Sequence, residues 1–404
     1  MIGMKILLCI LLSACMILSI VSCTATDQPN ISEQEETPPT SEQPVQTKQD
    51  EEVVEDEVVG KILLFTLTED GLYKYSHVYA YARNVVAHYP ARIIHVNVPL
   101  EYGLEDSELD VWLDNAHKVI EAEISYEETK VVLFADSSAL SQAVEAKSLL
   151  AERVNKLRPD ILIVDLFSSR LLAKEYEKHL VLSYDSDLLA KKSLEKGEEM
   201  GVETVFFYIS RGTSEAEIYN KGFLDLIREE AKKYDFRYIE RDSYSAVGPG
   251  YYWKEDVKIM GRNTMFFSND RGTRVHLDSL WSGAITIAFY PPDLPLIFIH
   301  NGPVVFGDYD SLQENVREFL DEHGFTGNLA VWLISFDHIA MMAAVEYAIG
   351  YIKGEIETGS DIDALNECFR KGFELLGYPE IGFELHRSET YNNLFFLVQD
   401  YMVF

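Results

Sequence analysis

The chain has 404 residues, a formal net charge of −32 at pH 7 and a sequence pI near 4.6. That balance excludes nucleic acid as a partner, since nothing in the chain neutralises a phosphate backbone, and it excludes broad electrostatic adhesion to anionic lipid. Hydrophobic residues make up 47% of the chain, enough for a sizeable core, and the length allows two or three domains. Of the four cysteines, Cys9, Cys15 and Cys23 lie in the first 23 residues. Cys368 stands alone in the remainder, so no disulfide forms there and it reads as a small core hydrophobe.

Residues 1–23 have the form of a secretory signal: Lys5 supplies the positive start, and 6–21 is almost wholly apolar. The stretch ends Val21-Ser22-Cys23, which resembles a bacterial lipobox. The resemblance implies cleavage before Cys23, lipidation of its sulfur and retention at a membrane face by lipid alone. Leu12-Ser13-Ala14-Cys15 also fits, but cutting there leaves 16–21 as an apolar stub, so Cys23 is preferred. An uncleaved apolar anchor is the alternative. Residues 24–58 contain no aromatic residue, and between Thr24 and Glu57 there are eleven acids against Lys48. Such a segment cannot bury enough apolar area to offset chain entropy, so it reads as a disordered acidic tether spanning roughly 30 Å.

From residue 59 onward strand and helix patterns alternate. Strands are expected at 61–67, 92–98, 130–134, 160–166 and 180–183, with helices at 73–88, 107–120 and 140–157 between them. This makes one doubly wound lobe, 59–185. The pattern restarts with a helix at 186–200 closed by Gly201. A strand at 203–209, a helix at 216–234 and strands at 236–239, 265–267, 285–289 and 296–300 follow, with 247–253 as an aromatic loop. That is a second lobe, 186–328. Residues 329–404 read as a hinge crossover and a return to the first lobe: a strand at 329–334, a helix at 339–356 that is apolar on nearly every side in its first half, a helix at 361–376 and a hydrophobic end at 393–404. The expected fold is therefore α/β, with two doubly wound, Rossmann-like lobes joined by a hinge.

Five segments in this order carry a resemblance: 61–70, 92–98, Arg158-Pro159-Asp160-Ile161-Leu162, Met200-Gly201 before a strand, and Phe266-Phe267-Ser268-Asn269-Asp270. Together they resemble an uncharacterised family of bacterial lipoproteins with the type I periplasmic-binding-protein fold, over about 60–375. The resemblance implies that Asn269 and Asp270, after a second-lobe strand, contact a ligand. Two departures narrow the ligand. Arg271-Gly272-Thr273-Arg274 stands where sugar binders of this fold have an alanine-rich helix start, and Gly71-Leu72-Tyr73 stands where nucleoside-binding lipoproteins are rich in phenylalanine.

In open α/β sheets ligands sit beyond the carboxyl ends of the strands. The candidate binding residues are therefore the polar strand tips: Thr68, Glu69, Asp70, Asp136, Ser137 and Ser168 in the first lobe, and Ser210, Arg211, Asn269 and Asp270 in the second. Their hydroxyl, amide and carboxylate groups suit hydroxyls or amides, and Arg211 suits a carboxylate. The same residue types at these positions also cap helices. Tyr251, Tyr252 and Trp253 could form a stacking platform or pack the second lobe, and Phe336 could reach the cleft. No catalytic signature, P-loop, metal cluster or cofactor motif is present in the sequence. The expectation is a non-enzymatic, extracytoplasmic solute-binding lipoprotein on the bacterial cell membrane. It would close on a small polar molecule and serve an ABC-type importer through a membrane permease or receptor. A sensing or protein-interaction lipoprotein on the same fold is the alternative, and a hydrolase using cleft carboxylates comes third.

Overall fold

The computed structural model describes residues 60–69, 77–90, 92–100, 106–136, 141–166, 179–210, 214–243, 250–268, 279–288 and 308–404. Residues 56–404 make one compact unit. The first half alternates β1 (Lys61–Glu69), α1 (His77–His88), β2 (Ile93–Leu100), α2 (Asp106–Ile124), β3 (Thr129–Asp136), α3 (Ser141–Leu157), β4 (Leu162–Leu166) and β5 (Leu180–Ser183). Then come α4 (Ser186–Glu199), β6 (Thr204–Ser210), α5 (Ser214–Glu230), β7 (Arg237–Ser243), α6 (Gly250–Met260), β8 (Thr264–Ser268) and β9 (Thr286–Ile287). The chain ends with α7 (Tyr309–His323), β10 (Leu329–Val331), α8 (Phe336–Lys353), α9 (Ile362–Leu375), β11 (Phe383–Arg387), β12 (Leu394–Gln399) and β13 (Met402–Val403).

The larger sheet has seven strands in the order β11-β12-β5-β4-β3-β1-β2, and only β11 runs antiparallel to its neighbour. Its central strands β1, β3 and β4 are largely apolar on both faces because helices cover both. Ile62 and Leu64 face the cluster that holds α1 and α8, while Leu63 and Phe65 face the one that holds α2 and α3. A second parallel sheet has the order β7-β6-β8. The Ile285 amide bonds the Thr264 carbonyl at 3.0 Å and links β8 to a third group, β13-β10-β9.

Helix α8 is buried along nearly its whole length, as a helix without a polar face must be, and packs on α1, α9, β3 and β4. Buried Glu346 on α8 accepts hydrogen bonds from Tyr89 and from Lys371 on α9, which ties the three segments together. Cys368 is buried on α9, and burial, followed by Glu346, pushes its thiol up to about 12, so it behaves as a core side chain. Asp185 caps α4 by accepting from the Asp187 and Leu188 amides, and Gly201 closes the helix at φ 78°, a conformation that favours glycine.

Three elements differ from the sequence expectation. The segment read as an aromatic loop at 247–253 runs into helix α6, whose buried Trp253 and Val257 lie four residues apart on one face. Helix α7 buries Tyr309, Leu312, Val316 and Leu320 at helical spacing. Strand β11 is a half-exposed edge without the apolar run that marks a buried strand. The strand expected at 296–300 lies outside the described residues. Among the described residues no helix is long and apolar enough to cross a membrane.

Candidate functional site

Strand order sets where a ligand can sit. In the larger sheet the chain goes from β1 to β2 in one direction, then returns past β1 to build β3, β4 and β5 on the other side. The order reverses between β1 and β3, and such a switch point leaves a crevice beyond the carboxyl ends of those strands. Thr68 and Glu69 are the last two residues of β1, and Asp136 is the last of β3. The register pairs Leu67 with Asp136, so the three positions share one rim. The β7-β6-β8 sheet repeats the arrangement: its order reverses between β6 and β8, and Ser210 ends β6.

Asp70, Ser137, Ser168, Arg211, Asn269 and Asp270 lie outside the described residues. Their chain positions directly follow the same strands: Asp70 succeeds β1, Ser137 succeeds β3, Arg211 succeeds β6 and Asn269 succeeds β8, while Ser168 is the second residue after β4.

Beneath the first rim are polar groups that a search for strand tips does not find. Buried Thr66, about 10 Å below the end of β1, donates its hydroxyl proton to Asn97 Oδ1 at 2.8 Å. Having given up its one proton, the Thr66 oxygen accepts from His95 Nε2 at 2.9 Å. His95 is thus a neutral imidazole with its proton on Nε2. Burial, with Arg83 nearby, holds its pKa down to about 4. Tyr79 lies against the imidazole at 5.5 Å between ring centroids. The signal was present in Ile93-Ile94-His95-Val96-Asn97-Val98, where two polar residues two apart share one face of an apolar strand.

On the opposite face, buried Lys147 of α3 pairs with buried Asp165 of β4 at 2.9 Å and donates to the carbonyl of Leu166, the last residue of β4, also at 2.9 Å. This pair holds the end of the strand that leads to Ser168. In the second sheet, buried Asp256 accepts from the Tyr208 hydroxyl and from Arg241 Nη1 at 2.5 and 2.7 Å. Burial, then Asp256, pushes the Tyr208 hydroxyl up, so it stays a proton donor.

The structure decides between the alternatives left open for two aromatic residues. Trp253 is fully buried and stacks on Phe266 at 5.0 Å beside Tyr208, so it is core and not a ligand platform. Phe336 is buried edge-on against Tyr184 at 5.4 Å and does not line an open cleft. The side chains of Tyr251 and Tyr252 lie outside the described residues. Among the described residues no three His, Cys, Asp or Glu side chains converge as a metal ion requires.

No family model and no curated protein matches the chain. Solved structures do. A protein of Clostridium difficile 630 described as a candidate transcriptional regulator aligns with a TM-score of 0.65 and 16% identity, over 86% of this chain and 100% of that one. The chain has this fold: two doubly wound α/β lobes of the type I periplasmic-binding-protein kind. Looser alignments include a LacI-family transcriptional regulator from Arthrobacter sp. FB24 in complex with lactose, with 11% identity and a TM-score of 0.42 over 75% of this chain and 94% of that one. A periplasmic sugar-binding protein from Legionella pneumophila has 14% identity and a TM-score of 0.35, over 72% and 95%.

Proposed function

We propose that the protein is an extracytoplasmic solute-binding lipoprotein, held at the bacterial cell membrane through Cys23. It captures a small polar molecule at the strand tips and delivers it to a membrane permease of the ABC importer type. The observation that carries this reading is the coincidence of polar strand ends with topological switch points in both parallel sheets: Thr68, Glu69 and Asp136 at one, and Ser210 with the following Arg211 at the other. Asp70, Ser137, Ser168, Asn269 and Asp270 complete the two rims by chain position. Their mixture of hydroxyl, amide and carboxylate groups suits a ligand rich in hydroxyls or amides. The protein binds without turnover and needs no cofactor.

The test is native mass spectrometry of the full chain purified without denaturation, alongside its Asn269→Ala variant. The expected result is a discrete added mass on the wild type that is lost or much reduced in the variant. An added mass that persists in Asn269→Ala moves the site away from the β8 tip. No added mass, and no compound that raises the melting temperature in a screen of amino acids, peptides, sugars and nucleosides, would shift the assignment to a sensing or interaction protein.

A further inference from the structure

Helix α2 carries two stripes at helical spacing, and the core uses one of them. Leu109, Leu113, Ala116, Ile120 and Ile124 are buried against β1 and β3. The second stripe runs along the outer side as Val111, Asn115, Lys118 with Val119, and Ala122, all of them exposed. Residues four and then three or four apart form the seam along which one helix lies on another. Val111 is 63% exposed and Val119 is 37% exposed. Branching at Cβ makes valine a poor choice for helix propensity, and the core does not touch these two, so neither local structure nor folding accounts for them.

The sheet continues this surface. Glu121, two positions from Val119 and so on a different side of the helix, accepts from Arg153 of α3 at 2.6 Å. The Lys147–Asp165 pair places α3 over β4, so the Val119 side of α2 lies toward β2. Strand β2 ends the seven-stranded order, and no described strand lies beyond it. Edge strands are commonly guarded by charge, yet β2 carries no acid, lysine or arginine. Its Ile94, Val96 and Val98 are only half-buried on the side that faces the α2 cluster.

The order of residues along the stripe says what covers it. Val111 and Val119 stand four residues to either side of Asn115. Exposed Glu108 begins the stripe, and its one cation, Lys118, lies in the second half. A second copy laid antiparallel about a two-fold axis at Asn115 puts each Val111 against the partner's Val119. The same operation brings each Lys118 within one turn of the partner's Glu108. Such self-complementarity is the mark of an isologous contact. Copies with a net charge of −32 repel one another, so they can meet only where acid does not face acid, and this stripe meets that condition.

We propose that the outer stripe of α2, bordered by the uncharged edge of β2, is an interface between two copies of this chain, paired antiparallel about Asn115. It is independent of the strand-tip site.

The test is sedimentation velocity of the full chain in detergent over about 1 to 100 µM, with Val111→Asp/Val119→Asp beside the wild type. The expected result is a monomer–dimer equilibrium whose dissociation constant rises at least about tenfold in the variant, because aspartate then faces aspartate across the axis. Both substitutions are exposed, and circular dichroism checks that the variant folds. Asn115→Cys reads the axis itself. A residue on a two-fold meets its own copy, so oxidation with diamide should link Asn115→Cys into a disulfide dimer. Glu152→Cys, exposed on α3, should not link, and the wild type controls for the native cysteines. If the aspartates unfold the chain, the Asn115→Cys link decides. A wild type that stays monomeric throughout would overturn the proposal and leave the stripe to a different protein. So would a dimer of unchanged affinity in the valine variant, or one that Asn115→Cys fails to link.

Discussion

Replacing Lys147 with methionine tests whether the end of β4 is held by its buried ion pair. The side chains of Lys147 and Asp165 are 0% and 1% exposed and 2.9 Å apart, so neither charge is solvated. Methionine fills much of the same volume but takes the Lys147 ammonium away from the buried carboxylate. Removing one partner of such a pair costs about 3 to 5 kcal/mol, far more than an exposed pair is worth. In a folded unit of this size that is a fall in melting temperature of about 4 to 7 °C. Urea unfolding and thermal melts followed by circular dichroism would read both quantities. The double variant Lys147→Met/Asp165→Leu is the control. It removes the stranded charge along with its partner, and should recover most of the loss because an apolar pair in the same space is close to neutral or better. A single variant that loses less than about 1 kcal/mol, or a double variant less stable than the single, would refute the reasoning.

Acid should weaken the fold through His338. This buried imidazole accepts from the Tyr309 hydroxyl at 2.8 Å, donates to Asn84 Oδ1 at 3.0 Å and stacks on Tyr81 at 4.6 Å. Burial, with His88, holds its pKa down to about 3, while an unfolded imidazole titrates near 6.5. The unfolded state therefore binds the extra proton between those values. The contribution is fully present above about pH 6.5 and is lost progressively as pH falls toward 3, amounting to about 3 kcal/mol at pH 4.5. His95, held down to about 4, acts in the same direction. Urea midpoints measured from pH 7 to 4.5 should fall steeply in the wild type and less steeply in His338→Gln; equal slopes would show that His338 does not carry the effect. Gly359→Ala should cost about 1 to 3 kcal/mol in a thermal melt, because the added Cβ would lie 2.4 Å from the His179 carbonyl carbon, which is backbone and cannot turn aside. A melt unchanged from wild type would mean that the 179–180 segment shifts freely. Cys23→Ala should release the protein from the membrane fraction to the soluble fraction in cells; retention would point to an uncleaved apolar anchor.

The strand ends were legible because a parallel strand buried on both faces is an apolar run that must stop where polar loop residues begin. The run read at 61–67 is β1, Lys61–Glu69, and the one read at 203–209 is β6, Thr204–Ser210. Helix α8 was legible for a related reason: a segment without a polar face has only one environment open to it. Helix α6 was obscured because Gly248-Pro249-Gly250 reads as a loop, while the helix it opens has just a narrow apolar stripe. The supporting groups of the site were harder to see because a side-chain pair needs register and helix placement as well as pattern. Thr66 meets His95 and Asn97 only once β1 lies beside β2 in its observed register. Asp165 marks the boundary between the two kinds of information. A carboxylate inside Leu162-Ile163-Val164-Asp165-Leu166 must find a cation, since burying it alone would cost several kcal/mol. The requirement can be read from the strand alone, but that Lys147 meets it depends on where α3 crosses the sheet.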